Sequence, residues 1–158
     1  VNKHIPIFGI CGGLQFTVRA LGGEVIINSM GRNFGKNSIN ITKDGMADNL
    51  FEGIPQVFET YSSHQYVASS IPKKWKCLAF SEKTPFEALA IGDNIRLVQF
   101  HPEMTKKTIK KLALFRKEAL IKGGYLKEDS FDIFLQTLNN ENLFGKKILD
   151  NFIKNFTK

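Results

Sequence analysis

The sequence holds little that would staple a small protein or carry it across a membrane. Cys11 and Cys77 are the only two cysteines among 158 residues, too few for a disulfide framework. A chain of this length buries about 68–70% of its unfolded surface and needs no such framework. Tryptophan occurs once and proline five times, which excludes collagen-like and proline-rich character. Long apolar runs are also missing. The longest uncharged stretch near the N-terminus, Ile5 to Val18, contains Pro6, three glycines and Gln15 and is closed by Arg19, so it is too short and glycine-rich to span a bilayer. Lys3 ahead of it faintly mimics a signal peptide, but a strand running into a turn describes it better, and a cytoplasmic location follows. The three histidines are far apart, and no cluster has metal-ligand spacing. Nothing surrounds His4 that would give it a role.

Apolar residues make up 42% of the chain and charged residues 23%, with Phe unusually common at 14 copies. That is ordinary globular composition, enough for one domain or one domain with an appendage. The net charge of +7 is unevenly placed: residues 104–158 carry 12 Lys and Arg against 6 Asp and Glu, and residues 1–103 carry 10 against 9. Such a basic third can steer acidic partners, but a solvated face of Lys-rich helices is the plainer reading. No aromatic-interleaved basic motif marks a nucleic-acid module.

Ile5-Pro6-Ile7-Phe8-Gly9-Ile10 is a continuous apolar run of the kind found in a strand buried on both faces. Cys11-Gly12-Gly13 makes a tight turn, Leu14 to Leu21 a helix capped by Gly22-Gly23, and Glu24 to Ile27 a second strand. Further strands are expected over 38–42, 57–61, 75–81, 86–91 and 95–100, the last two joined by the hairpin signal Gly92-Asp93-Asn94. Beyond Pro102 the pattern turns helical. Ile109, Leu112, Phe115 and Ala119 share one stripe, and Gly123-Gly124 stops it; Phe131, Phe134, Leu135 and Leu138 form a second, and Ile148, Leu149, Phe152, Ile153 and Phe156 a third. Residues 1–122 are therefore expected to form the main domain, and 123–158 a helical appendage packed on it.

Cys11 stands where a buried strand turns sharply into a helix, at the carboxyl edge of the sheet where open α/β folds bind ligands. A helix N-terminus favours the thiolate, the reactive form of the thiol. Glycines 9, 12 and 13 leave room for a substrate, and the N–H that follows the nucleophile can serve an oxyanion. His101 follows another buried run, Arg96 to Phe100, and Glu103 two residues on can orient its ring. Cys77 alternates with Trp75 and Ala79 and reads as a core residue.

The segments Gly9-Ile10-Cys11-Gly12-Gly13-Leu14-Gln15, Ser62-Ser63-His64 and Gln99-Phe100-His101-Pro102-Glu103 together resemble the class I glutamine amidotransferases, whose nearest flavour is the glutaminase part of GMP synthetase or stand-alone proteins similar to it. The resemblance implies a flavodoxin-like α/β sheet with helices on both faces and needs no cofactor or metal. It implies that Cys11 attacks L-glutamine and forms a γ-glutamyl thioester, that His101 moves the proton, and that Glu103 orients His101. Gly12 would supply half of the oxyanion hole, and Gln15, Ser63 and His64 would hold the amino-acid end. Because no glycine-rich pyrophosphate loop follows, ammonia would pass to a separate synthetase subunit, or the acceptor chemistry is something else. Related Cys-His-Glu hydrolases of γ-glutamyl compounds and a silent binding module are the alternatives. Family domains carry further strands and a glycine-rich loop ahead of the nucleophile strand, so a truncated or partial chain is expected here. Its exposed sheet edge would be a hazard, and one missing oxyanion donor would cost about 10²–10³ in rate.

Overall fold

The computed structural model describes residues 5–157; Lys3 and His4 lie outside them. Six strands form the main sheet in the order β1-β8-β7-β6-β3-β4. They are β1 (Ile7–Ile10), β3 (Asn33–Ile41), β4 (Val57–His64), β6 (Lys76–Phe80), β7 (Ala88–Ile91) and β8 (Ile95–Val98). β1 and β8 run parallel with Gly9 opposite Leu97, and every other neighbouring pair is antiparallel. β2 (Glu24–Ile27) and β5 (Tyr66–Ser70) form a separate antiparallel ribbon. Among the described residues β1 pairs with β8 alone, so it is one edge of the sheet. His101 bridges to Tyr61 of β4, its N–H donating to the Tyr61 carbonyl at 2.8 Å. The chain leaving β8 therefore reaches across to the far edge strand and curls the sheet.

Helices cover both faces, as the α/β class requires. On one face, α1 (Gly12–Ala20) buries Leu14 and Val18 against Leu89, Leu97 and Ala68. α1 ends in a Schellman cap: Gly22 takes φ 92°, and the Gly23 N–H bonds to the Val18 carbonyl at 2.8 Å. On the other face, α6 (Leu143–Phe156) buries Ile148 and Phe152 against Ile39, Leu78 and Val98. The abundant phenylalanines are spent here: Phe8 lies 4.8 Å from Phe152, and Phe58 meets Phe100 edge-on at 5.8 Å. A third cluster joins Phe34 and Tyr61 to α3 (Lys106–Phe115), α4 (Lys117–Lys122) and α5 (Phe131–Thr137). A short α2 (Lys43–Met46) is capped by Thr42.

Three local expectations need correction. The stripe through Phe115 does not hold, because α3 stops at Arg116 and α4 starts afresh; Ile109, Ala113 and Leu120 are buried and Phe115 is 87% exposed. In α6 the buried positions are Gly145, Ile148, Asn151 and Phe152, while Ile153 faces out. In β6 a bulge between Cys77 and Ala79 breaks the alternation. Cys77 and Trp75 pack toward α1, and Ala79 joins Leu78 in the cluster on the other face. Burial pushes the Cys77 thiol upward in pKa.

Candidate active site

Cys11 is the N-cap of α1 and the only non-glycine residue with positive φ among those described, at φ 48° and ψ −98°. Its N–H still pairs with the Val98 carbonyl at 2.7 Å, so the parallel ladder holds the strand while the next residue starts the helix. Gly9 permits this packing: a Cβ there would meet Leu97 Cδ2 at 2.6 Å and the Gly13 backbone at 3.2 Å. Gly12 is the first residue of α1, one of the positions whose N–H has no intrahelical acceptor.

His101 stands between the other two groups: it interacts with Cys11 on one side, and on the other its Nδ1 lies 2.6 Å from Glu103 Oε1. Burial disfavours the charged imidazole, but Cys11 and Glu103 overcome it and raise the His101 pKa to about 9. Burial likewise lifts the Glu103 carboxyl, and its bond to His101 outweighs that and leaves it lowered. At neutral pH the pair is an imidazolium held by a carboxylate, with the sulfur beside it.

Cys11 also borders a cleft of about 420 Å³, within the usual range of small-molecule sites. Gln15, Ser63 and His64 line it. Gln15 Nε2 donates to the Tyr66 carbonyl at 2.8 Å and to Gln99 Oε1 at 3.2 Å. His64 is 4% exposed, and burial lowers its pKa to about 4. A neutral ring whose Nδ1 faces the Tyr66 carbonyl at 3.2 Å must donate there, which leaves Nε2 an acceptor without a protein partner. Cys11, His101 and Glu103 thus form one chain of contacts, and Gly12, Gln15, Ser63 and His64 stand on the adjoining cleft.

Sequence reasoning gave no role to Gln99, Arg32 or Arg116. Gln99 is fully buried, and its Nε2 donates to Cys11 Sγ at 3.5 Å while its Oε1 accepts from Gln15. The signal was a lone amide inside an apolar run, since a buried amide must find partners. Arg32 and Arg116 both line the cleft. Arg116 is the single arginine among the lysines of residues 104–158.

The model of the family described as glutamine amidotransferase class-I matches residues 1–120. A GMP synthase [glutamine-hydrolyzing] from Petrotoga mobilis is 33% identical over 105 residues, which is 66% of this chain and 20% of the relative. Gamma-glutamyl peptidase 4 from Arabidopsis thaliana is 29% identical over 159 residues, covering 98% of this chain and 61% of the relative. Among solved structures, a glutamine amidotransferase from Thermotoga maritima superposes with a TM-score of 0.81 at 23% identity, covering 99% of this chain and 64% of that one, a likeness of fold. The chain thus spans about a fifth of that synthase. Among the described residues no helix is long and apolar enough to cross a membrane.

Proposed function

The chain belongs to the glutamine amidotransferase class-I family, and from that premise we propose that it hydrolyses the γ-amide of L-glutamine through a thioester on Cys11. The observation that carries this reading is the Cys11–His101–Glu103 chain of contacts beside the cleft. Cys11 Sγ attacks the γ-carbonyl carbon. The developing oxyanion faces the start of α1, where the Gly12 N–H can donate. The C–N bond breaks, and His101 gives its proton to the departing nitrogen. Neutral His101 then takes a proton from water, whose hydroxide opens the thioester and releases glutamate and the thiol. Glu103 holds the ring in orientation through Nδ1. Gln15, Ser63 and His64 take the amino-acid head, and a separate synthetase subunit receives the ammonia.

One finding favours a second reading. The synthase from Petrotoga mobilis matches 66% of this chain, whereas the γ-glutamyl peptidase matches 98% of it, the C-terminal helices included. Hydrolysis of γ-glutamyl peptides uses the same residues and steps, with an amine in place of ammonia.

The test is intact mass and peptide mapping after incubation with 6-diazo-5-oxo-norleucine. One adduct on Cys11, absent from Cys77 and blocked by excess glutamine, is expected. Cys11→Ala and His101→Ala should abolish hydrolysis, and Cys77→Ala should retain it. Equal loss in folded Cys77→Ala would overturn the assignment.

A further inference from the structure

The Cys11 cleft is unbalanced in charge. Its lining residues include Arg32 and Arg116 and no Asp or Glu. Arg32 enters from the segment before β3, and Arg116 from the break between α3 and α4, where its φ of −99° and ψ of 9° end one helix and begin the next. Both side chains are half-buried. Each has only a neutral contact: Arg32 Nη2 donates to Gln65 Oε1 at 2.9 Å, and Arg116 Nη1 reaches Ser63 Oγ at 3.4 Å. Among the described residues neither forms an ion pair, in contrast to Arg96, whose guanidinium is bound to Asp48 at 2.9 Å. Two half-buried guanidiniums on one cleft with no carboxylate beside them are free to make charge-assisted bonds to an anionic ligand.

Glutamine brings a single carboxylate to the two guanidiniums. Its α-carboxylate and α-ammonium cancel, so the zwitterion brings no net charge to a cleft already flanked by cationic His101. A γ-glutamyl amino acid keeps the same head and adds a C-terminal carboxylate, for a net charge of −1. The planar fork of arginine suits a carboxylate better than the point charge of lysine, and Arg116 stands alone in an otherwise lysine-rich third of the chain.

We propose that Arg32 and Arg116 make the Cys11 cleft a site for net-anionic γ-glutamyl compounds, which carry a carboxylate beyond the α-amino-acid head. The inference rests on the thioester reading above and names its substrate class. The γ-glutamyl C–N bond breaks, the amino acid leaves with the proton from His101, and water supplies the oxygen that makes the glutamyl group a carboxylate.

The test reads binding apart from turnover. The rate of Cys11 alkylation by iodoacetamide is followed by intact mass in the presence of γ-glutamylglycine or its C-terminal amide, γ-glutamylglycinamide. The acid should protect at a concentration about tenfold or more below the amide, as a charge-assisted contact implies. Arg32→Gln and Arg116→Gln should each bring that ratio toward one, Arg116→Lys should hold part of it, and Lys111→Gln on the exposed side of α3 should keep it. Equal protection by acid and amide in the unmodified chain, or an unchanged ratio in both glutamine variants, overturns the proposal. A preserved ratio with no hydrolysis of either glutamine or the dipeptide supports the anion site and overturns the hydrolytic reading instead.

Discussion

At Cys11 the backbone takes a left-handed conformation that a side chain enters only at a cost of about 1–3 kcal/mol. Glycine carries no such penalty. Cys11→Gly is therefore expected to be more stable than Cys11→Ala by about 1 kcal/mol in urea unfolding, with both inactive. A second prediction concerns Glu103. Its bond to His101 helps raise the imidazole to a pKa of about 9, so the ring stays protonated through neutral pH. In Glu103→Gln that support is gone, the imidazolium is lost at lower pH, and the alkaline fall of the pH–rate profile should move downward. The maximal rate should drop roughly ten- to a hundredfold, and an unmoved alkaline limb would contradict the pairing. Cys11, His101 and Glu103 were legible because they sit at strand ends with distinctive neighbours. Arg32 and Arg116 were not, because their meaning lies in what the cleft lacks, and a missing counter-charge appears only in three dimensions.

α6 reaches the site through its N-cap. Asn142 Nδ2 contacts the carbonyls of His101 at 3.1 Å and Met104 at 3.0 Å, and its Oδ1 accepts from the Gly145 N–H at 3.2 Å. One side chain thus caps a helix and ties down the loop that carries His101 and Glu103. Asn142→Ala should lower stability by about 1–2 kcal/mol through the lost cap and reduce turnover more than it alters glutamine KM, checked by urea unfolding beside steady-state kinetics. The helical period made α6 legible, but not this clamp, which joins residues 41 positions apart. Other misses at this level share a cause. β5 has no clean alternation because it pairs only with short β2, the β6 bulge flips a face within three residues, and the α3–α4 break carries no Gly or Pro. Each is settled by packing partners distant in sequence.

For the molecule as a whole, pH acts on stability through a buried carboxyl as well as through the site. Glu87 is fully buried, accepts from Ser81 at 2.7 Å and Asn37 at 2.8 Å, and leaves Oε2 unpaired. Burial raises its pKa to about 7 from 4.5. The folded chain therefore holds this proton where the unfolded chain has released it, and the contribution of Glu87 to stability falls as pH rises from 4.5 through 7. Glu87→Gln should gain on the order of 1–3 kcal/mol relative to the parent chain on going from about pH 5 to about pH 9, read from urea midpoints. A gain independent of pH would mean that Glu87 does not titrate there. The α/β class was legible from the alternating patterns and helices on both faces from the resemblance, but the largely antiparallel, curled sheet was not, since curling depends on the long-range bridge between His101 and Tyr61. The Asn142 clamp also sets an order on synthesis. Cys11 leaves the ribosome before His101, and the loop around His101 is fastened only when residue 142 has emerged. A nascent chain therefore presents its thiol before the loop that carries His101 and Glu103 is held, and that loop is held once the N-cap of α6 is in place.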